Sequence, residues 1–171
     1  MSRADTSHYE AIVIGAGVAG IYQMKRLADL GVHATVLEAA ADLGGTWYNN
    51  RYPGARFDSE SYTYGYTFSK EVLKEWHWKE AFSAQPENLR YLNFVAEKFD
   101  LRQYMQFNCR LDAAHYDEDE NLWRLHINDG RELTCRFLIT TLGLLSIPTY
   151  PRIPGMDDFK GRSFHTFDWP H

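Results

Sequence analysis

The 171-residue sequence has little of three things, and each shortage closes off a class of protein. Its apolar runs are short, as at Ala11-Ile12-Val13-Ile14, far below the about 20 residues that span a bilayer. The opening Met1-Ser2-Arg3-Ala4-Asp5-Thr6-Ser7-His8 lacks the apolar stretch of a secretory signal. Cysteine is scarce: Cys109 and Cys135 stand without CxxC spacing, so they are expected as buried or free thiols and not as a disulfide framework. Positive charge is also short. A formal net charge of −5 lacks the basic footprint of a nucleic-acid or anionic-lipid binder. With 24% charged and 44% hydrophobic residues the chain has the composition of an ordinary folded protein. The expectation is one soluble, cytoplasmic domain with neither a membrane nor a nucleic acid as partner.

What is present has a clear order. A polar arm leads into an unbroken apolar run at 10–14, the mark of a strand buried on both faces. After a glycine-rich turn, Ile21, Met24, Leu27, Ala28 and Leu30 recur at helical spacing, with Gly31 as C-terminal cap. Residues 34–37 read as a second strand, completing a strand–helix–strand unit with a right-handed connection. From Asp42 to Ser69 the chain is rich in Gly, Asn, Pro and Tyr and has no periodicity, and so long an irregular stretch is usually functional. One helix is expected at 71–80. Another is signalled by Ser83 to Pro86, with Leu89, Leu92, Val95 and Phe99 as its apolar stripe. Beyond Met105 the period becomes two, predicting strands at 106–116, 122–127 and 131–141, the last two joined by the hairpin signal Asn128-Asp129-Gly130. Pro148, Pro151 and Pro154 then interrupt regular structure in the manner of a linker.

The turn between the first strand and helix is Gly15-Ala16-Gly17-Val18-Ala19-Gly20, a GxGxxG pattern. Gly15 permits the tight turn, Gly17 admits a pyrophosphate close to the backbone, and Gly20 allows the helix to pack on the strand. A diphosphate then sits on the helix N-terminus, beside Val18. Glycines collect at turns for structural reasons alone, but here strand, turn, helix, strand and a terminal acid follow in order. That acid is Glu38, placed to accept hydrogen bonds from ribose hydroxyls and to repel a 2′-phosphate. The first nucleotide is thus FAD or NAD, with NADPH disfavoured at this turn. The long aromatic loop and the antiparallel strands that follow differ from the repeated strand–helix units of a simple dehydrogenase. The fold class expected is α/β: a Rossmann-like parallel sheet flanked by helices, with an inserted antiparallel β-meander.

Two further stretches narrow the reading. Gly44-Gly45-Thr46-Trp47-Tyr48-Asn49-Asn50-Arg51-Tyr52-Pro53-Gly54-Ala55-Arg56-Phe57-Asp58 and Phe159-Lys160-Gly161-Arg162-Ser163-Phe164-His165-Thr166-Phe167-Asp168-Trp169-Pro170 stand 100 residues apart in order of appearance. The first resembles the GGxW…YPGxxxD motif, and the second the FxGxxxHxxxWP fingerprint, of the type I Baeyer–Villiger monooxygenases. The resemblance runs from Tyr9 to His171. It departs from the two-dinucleotide flavoprotein pattern at Thr141 and Leu142, where an Ala-Thr-Gly turn is usual.

The resemblance implies FAD as cofactor and NADPH as reductant, with O2 and a ketone as substrates. In that family a C4a-peroxyflavin attacks the ketone, and the adduct rearranges to an ester or lactone. The cofactor carries the hard chemistry while the protein supplies orientation, electrostatics and water exclusion. By the same resemblance Gly45, Thr46 and Trp47 line the flavin, Tyr64 and Leu111 also touch FAD, and Arg56 lies near the nicotinamide. Asp58 is the candidate catalytic residue, orienting a cationic partner beside the flavin. Its plain alternative is a turn-capping aspartate. His165 and Trp169 belong to a linker that supports domain movement, or His165 is a hydrogen-bonded packing residue. No metal site is expected, since His115 and His126 fall on separate strands without ligand spacing. Tyr62, Tyr64, Tyr66, Trp76 and Trp78 are expected as core packing, not a stacking surface for bases. The implied organisation is an FAD-binding portion over 1–147 and a linker over 148–171. The NADPH domain and C-terminal portion of the parent would lie outside this chain, leaving it inactive alone. A nitrogen- or sulfur-oxygenating flavoenzyme, or a catalytically silent FAD-binding module, are the alternatives.

Overall fold

The computed structural model describes residues 6–170. Its first strand, β1 (Thr6–Ile14), is central because the run Ala11–Ile14 is apolar on both faces. Ala11 and Val13 enter one hydrophobic cluster, while Ile12 and Ile14 enter another on the opposite face. β1 begins earlier than the apolar run suggests. Residues 6–9 pair in parallel with Glu132, Leu133, Thr134 and Cys135, so the part of the polar arm from Thr6 onward is strand. Residues 1–5 of that arm lie outside the described residues.

Helix α1 (Val18–Asp29) buries Gly20, Ile21 and Met24 against the sheet. It stops where expected: Gly31 adopts φ +67°, and the Gly31 and Val32 amides donate to the carbonyls of Ala28 and Leu27. Strand β2 (Ala34–Leu37) is wholly buried and pairs with β1 in parallel. Two short helices follow, α2 (Thr46–Asn49) and α3 (Lys70–Glu75). α3 is shorter than the 71–80 helix the sequence suggests. Ser69 caps its start by accepting from the Val72 amide, but Trp76 turns extended (φ −92°, ψ 124°) and sends the chain back across the aromatic cluster. Helix α4 (Gln85–Lys98) carries Leu92 and Val95 on its buried face, with Leu89 and Phe99 partly buried beside them.

The expected strand at 106–116 is two strands. β3 (Met105–Gln106) pairs with β2, whereas β4 (Leu111–Asp117) pairs with β5 (Leu122–Ile127). Asn108 breaks the run by adopting a left-handed φ of +54°. β6 (Glu132–Thr140) closes the meander antiparallel to β5 and lies parallel to β1 on its other edge. Among the described residues this makes one six-stranded sheet of order β3-β2-β1-β6-β5-β4.

That order has a geometric consequence. β3 and β4 end the sheet on opposite sides, yet only residues 107–110 join them. Five residue steps reach at most about 18 Å, whereas the edges of a flat six-stranded sheet lie about 24 Å apart. The sheet therefore curls, bringing the meander over one face of β1 and β2. The amides of Asn108 and Cys109 confirm the closure by donating to the carbonyls of Ala40 and Glu38 at 2.9 and 2.8 Å. Between the layers lie Ile12, Ile14, Leu37, Leu125, Ile127, Leu133 and the two free, buried thiols of Cys109 and Cys135. Burial pushes the Cys135 thiol up to about 11. Helices α1 and α4 and the aromatic loop cover the other face.

After β6 the chain runs over the surface in 3₁₀ turns at Met156–Asp158 and Thr166–Asp168, with Leu144, Ile147 and Phe159 exposed. No helix among the described residues is long and apolar enough to cross a membrane. Leu125, fully buried in the meander core, tests the two-layer arrangement. Leu125→Ala is expected to lower unfolding free energy by about 2–5 kcal/mol in a denaturant titration, as for other buried leucines.

Candidate functional site

The candidate site gathers at the C-terminal ends of β1 and β2, where open parallel sheets bind ligands. The Gly15 amide donates to the Leu37 carbonyl at 2.8 Å, which folds the turn back over β2. The Gly15 carbonyl in turn points at Gly20, where an added Cβ would lie 1.8 Å from its oxygen. Only glycine fits there. Gly17 caps α1 without any side-chain hydrogen bond, so the first-turn amides of the helix, Val18 among them, are open to an anion.

Glu38 lies 8% exposed at the end of β2, and both its oxygens are held by main chain. Oε2 accepts from the Ala16 amide at 2.7 Å and Oε1 from the Ala40 amide at 2.8 Å. The carboxylate is thus fixed in orientation, and each oxygen keeps lone-pair capacity for a further donor.

The second loop presses against this turn. The Gly44 amide donates to the Ala16 carbonyl at 3.0 Å. Gly45 has φ +52°, and a Cβ on it would come within 2.9 Å of the Gly17 Cα, so the two glycine loops meet backbone to backbone. Thr46 opens α2, and Trp47, 7% exposed, follows it. Two contacts lock Trp47: its indole N–H donates to the Tyr64 hydroxyl at 2.6 Å, and its carbonyl accepts from the Gln85 side chain. The Phe57 and Tyr64 rings pack beside it in a tilted pair with centroids 4.5 Å apart, and Tyr64, Tyr66, Trp76 and Trp78 surround the buried Tyr91. Tyr66 also donates its hydroxyl to the Val18 carbonyl at 2.6 Å, tying the aromatic wall to the first turn of α1. Tyr62 alone of the expected packing aromatics is exposed, at 73%.

The sequence-predicted residues divide into four groups. Gly15, Gly17, Val18, Gly20, Glu38, Gly45, Thr46, Trp47 and Tyr64 come together. Leu111 opens β4, two residues after Cys109, whose amide donates to the Glu38 carbonyl, and packs on the meander core. Arg56 and Asp58 stand on the exposed rim: Arg56 bonds Glu80 and the Phe82 carbonyl, and Asp58 has no hydrogen bond or ion pair among the described residues. His165 and Trp169 form a separate local unit. The His165 Nδ1 accepts from the Phe167 amide at 3.1 Å, its ring lies 5.0 Å from Tyr150, and Trp169 packs on Phe164. The His115 and His126 rings do meet, 5.7 Å apart on adjacent strands. No cluster of three metal-binding side chains exists among the described residues.

Sequence reasoning missed Gln85, Tyr91 and the role of Ala16; Tyr66, expected as core packing, is buried as expected and adds the bond to Val18. The Ala16 contribution is a main-chain amide, which no residue type signals. Gln85 could only have been read as part of a helix start next to Pro86.

Burial pushes the Tyr64 hydroxyl up to about 12, against the opposing bond from Trp47, and raises Tyr66 and Tyr91 as well. The folded state therefore favours the neutral phenols. Their contribution to stability is complete below the ordinary tyrosine value of 10.0 and falls as pH rises above it, the Tyr64 part being lost as pH rises through about 12. In tyrosinate absorbance and urea titrations, stability is expected to begin falling as pH rises above 10.0, with the Tyr64 share lost by about 12. Tyr64→Phe should flatten the slope while costing about 1 kcal/mol at neutral pH for the lost Trp47 bond.

Comparison with known proteins agrees with this geometry. Residues 13–76 match the family model of an NAD(P)-binding Rossmann-like domain. A Baeyer–Villiger monooxygenase of Pseudooceanicola batsensis is 45% identical over 163 residues, covering 95% of this chain and 30% of that protein. The phenazine N-monooxygenase of Lysobacter antibioticus is 42% identical over 97% of this chain and 31% of its own. A crystal structure of OTEMO in complex with FAD and NADP superposes with a TM-score of 0.88 at 49% identity, covering 95% of this chain and 30% of that one. The chain thus spans about 30% of the length of these relatives. Along nearly all of that span, in sequence and in fold, it is a homologue of the N-terminal, FAD-binding portion of the Baeyer–Villiger monooxygenases.

Proposed function

We propose that this chain is the FAD-binding portion of a flavin- and NADPH-dependent monooxygenase that inserts one atom of O2 beside a ketone carbonyl, giving an ester or lactone. The observation that carries this reading is the cradle itself. Two glycine loops meet where side chains would collide, at the open end of a helix, next to a carboxylate held rigid by two amides. The relatives' shared fold, found in a complex with FAD and NADP, supports the same assignment.

The residues fit a dinucleotide. Gly15, Gly17 and Gly20 leave room for a diphosphate against the main chain, and the α1 first turn from Val18 supplies amides and a favourable dipole. Glu38 is oriented for ribose hydroxyls. Gly45, Thr46, Trp47 and Tyr64 would flank the flavin ring, with Leu111 touching the dinucleotide. FAD held there would supply the redox chemistry, by which two electrons from NADPH reduce O2 so that one oxygen atom enters the ketone and the other leaves as water. Around it the protein orients and dries the site: the Trp47–Tyr64 bond and the packed aromatics behind it keep water from that side. Asp58, free on the rim, would hold and orient a cationic group that stabilises developing negative charge. Arg56 would face the nicotinamide once released from Glu80. Residues 1–147 then form the FAD-binding portion, and 148–171, with His165 and Trp169, a linker that couples domain movement to cofactor binding. Use of NADPH fits a cytoplasmic setting.

Oxygenation at nitrogen is the second reading, because the phenazine N-monooxygenase shares this same span at 42% identity. Two experiments separate the possibilities. FAD titrated into this chain should lose fluorescence as it binds, and Gly20→Ala should abolish that binding; a chain that takes up no flavin overturns the proposal. Installed in place of the matching segment of a cyclohexanone monooxygenase, the chain should support NADPH-dependent ester formation. Asp58→Ala should reduce that rate by about 100-fold, the scale of losing an electrostatic stabiliser. Turnover of an amine without any ketone product would favour the second reading.

A further inference from the structure

Thr141, which departs from the pattern expected at the end of β6, has an unassigned place in the site. Its amide donates to the Ile14 carbonyl at 2.9 Å, continuing the β1–β6 ladder by one step. Its hydroxyl lies 2.7 Å from the same Ile14 oxygen and 3.0 Å from the Gly15 oxygen. A hydroxyl with one proton facing two carbonyls makes a shared, three-centre bond. Contact around it is tight: a Cβ on Gly15 would meet the Thr141 carbonyl oxygen at 2.9 Å, and one on Gly20 would meet its Oγ1 at 3.1 Å.

The other end of the same peptide group is also held. The Gly15 carbonyl and the Ala16 amide belong to one planar trans unit, so they point in opposite directions and turn together. Thr141 bonds the carbonyl end and Glu38 Oε2 the amide end. We infer that Thr141 is a positioning residue: its hydroxyl fixes the Gly15–Ala16 peptide and, through the Ala16 amide, the carboxylate of Glu38. Resting on the FAD-binding reading, this assigns to Thr141 the preorganisation of both the diphosphate turn and the ribose acceptor. An alanine at this position offers no donor.

The test separates hydroxyl from shape. Thr141→Val keeps the branched side chain and removes the donor; Thr141→Ser keeps the donor and removes the methyl. FAD affinity is measured by flavin fluorescence on this chain, and amide hydrogen exchange at Ala16 is followed without ligand. Loss of one well-placed hydrogen bond should weaken FAD binding about ten-fold in Thr141→Val. Exchange at Ala16 should quicken by a similar factor, while Thr141→Ser stays close to the parent in both. Should the valine variant not fold, Thr141→Ala against Thr141→Ser gives the same contrast. Equal affinity and exchange in the valine, or alanine, and parent proteins would overturn the inference. So would a serine variant as impaired as the one lacking the hydroxyl. If the parent chain takes up no FAD, the functional reading fails by itself, and Ala16 exchange still decides the role of Thr141.

Discussion

A buried carboxylate joined to two backbone amides holds the site together. Glu38 stands at the end of β2, and its Oε2 reaches across to the turn that leaves β1. An ionised group this deep is tolerable only with its oxygens satisfied, since an unpaired buried charge costs far more than its partners return. The turn cannot shift without stranding Glu38, and Glu38 cannot swing without freeing the Ala16 amide. Gly20 completes the constraint by letting the Gly15 carbonyl lie against the helix. Local geometry at three positions therefore fixes the relation of strand, helix and strand before any ligand arrives.

The fold around this point follows from strand period and chain length. Alternate residues of β1 serve two different cores, so the strand is committed to having a layer on each side. Helices form one layer. The other is formed by the meander, and the four residues that link β3 to β4 oblige the sheet to curl until it gets there. That same crossing bonds the Cys109 amide to the Glu38 carbonyl and packs Leu111 on the second core, so closing that core and anchoring the end of β2 are one structural event.

Much of this was legible in residue order. The glycine turn, α1 with its Gly31 stop, β2, the last two strands and the hairpin at Gly130 follow from periodicity and turn chemistry that tertiary contacts reinforce. The errors have a common origin. The helix at 71–80 ended early because Trp76 and Trp78 gain more by packing on Tyr91 than by continuing a helix. The strand at 106–116 split because a left-handed Asn108 turns the chain from one sheet edge to the other, and period-two patterning is blind to that. In the site, side chains with special chemistry were visible, whereas main-chain donors such as Ala16 were not. Gln85 was hidden for a similar reason: its partner is the carbonyl of Trp47, 38 residues away.

The rim shows how a site can be rigid at one end and open at the other. Around Glu38 and Gly20 nearly every polar group has a backbone partner, which suits the invariant part of a dinucleotide. Arg56 forms a single bridge with Ala84, and Asp58 follows two residues later in a bend, both exposed. Yet Arg56 is drawn away to Glu80 in a half-exposed pair, an interaction worth only about 0–1 kcal/mol. Such a weak tether is readily exchanged for a stronger one. Asp58, with no partner of its own, meanwhile keeps its charge available at the mouth of the site. The arrangement is rigid around Glu38 and Gly20 and leaves Arg56 in a weak, exchangeable pair and Asp58 without one.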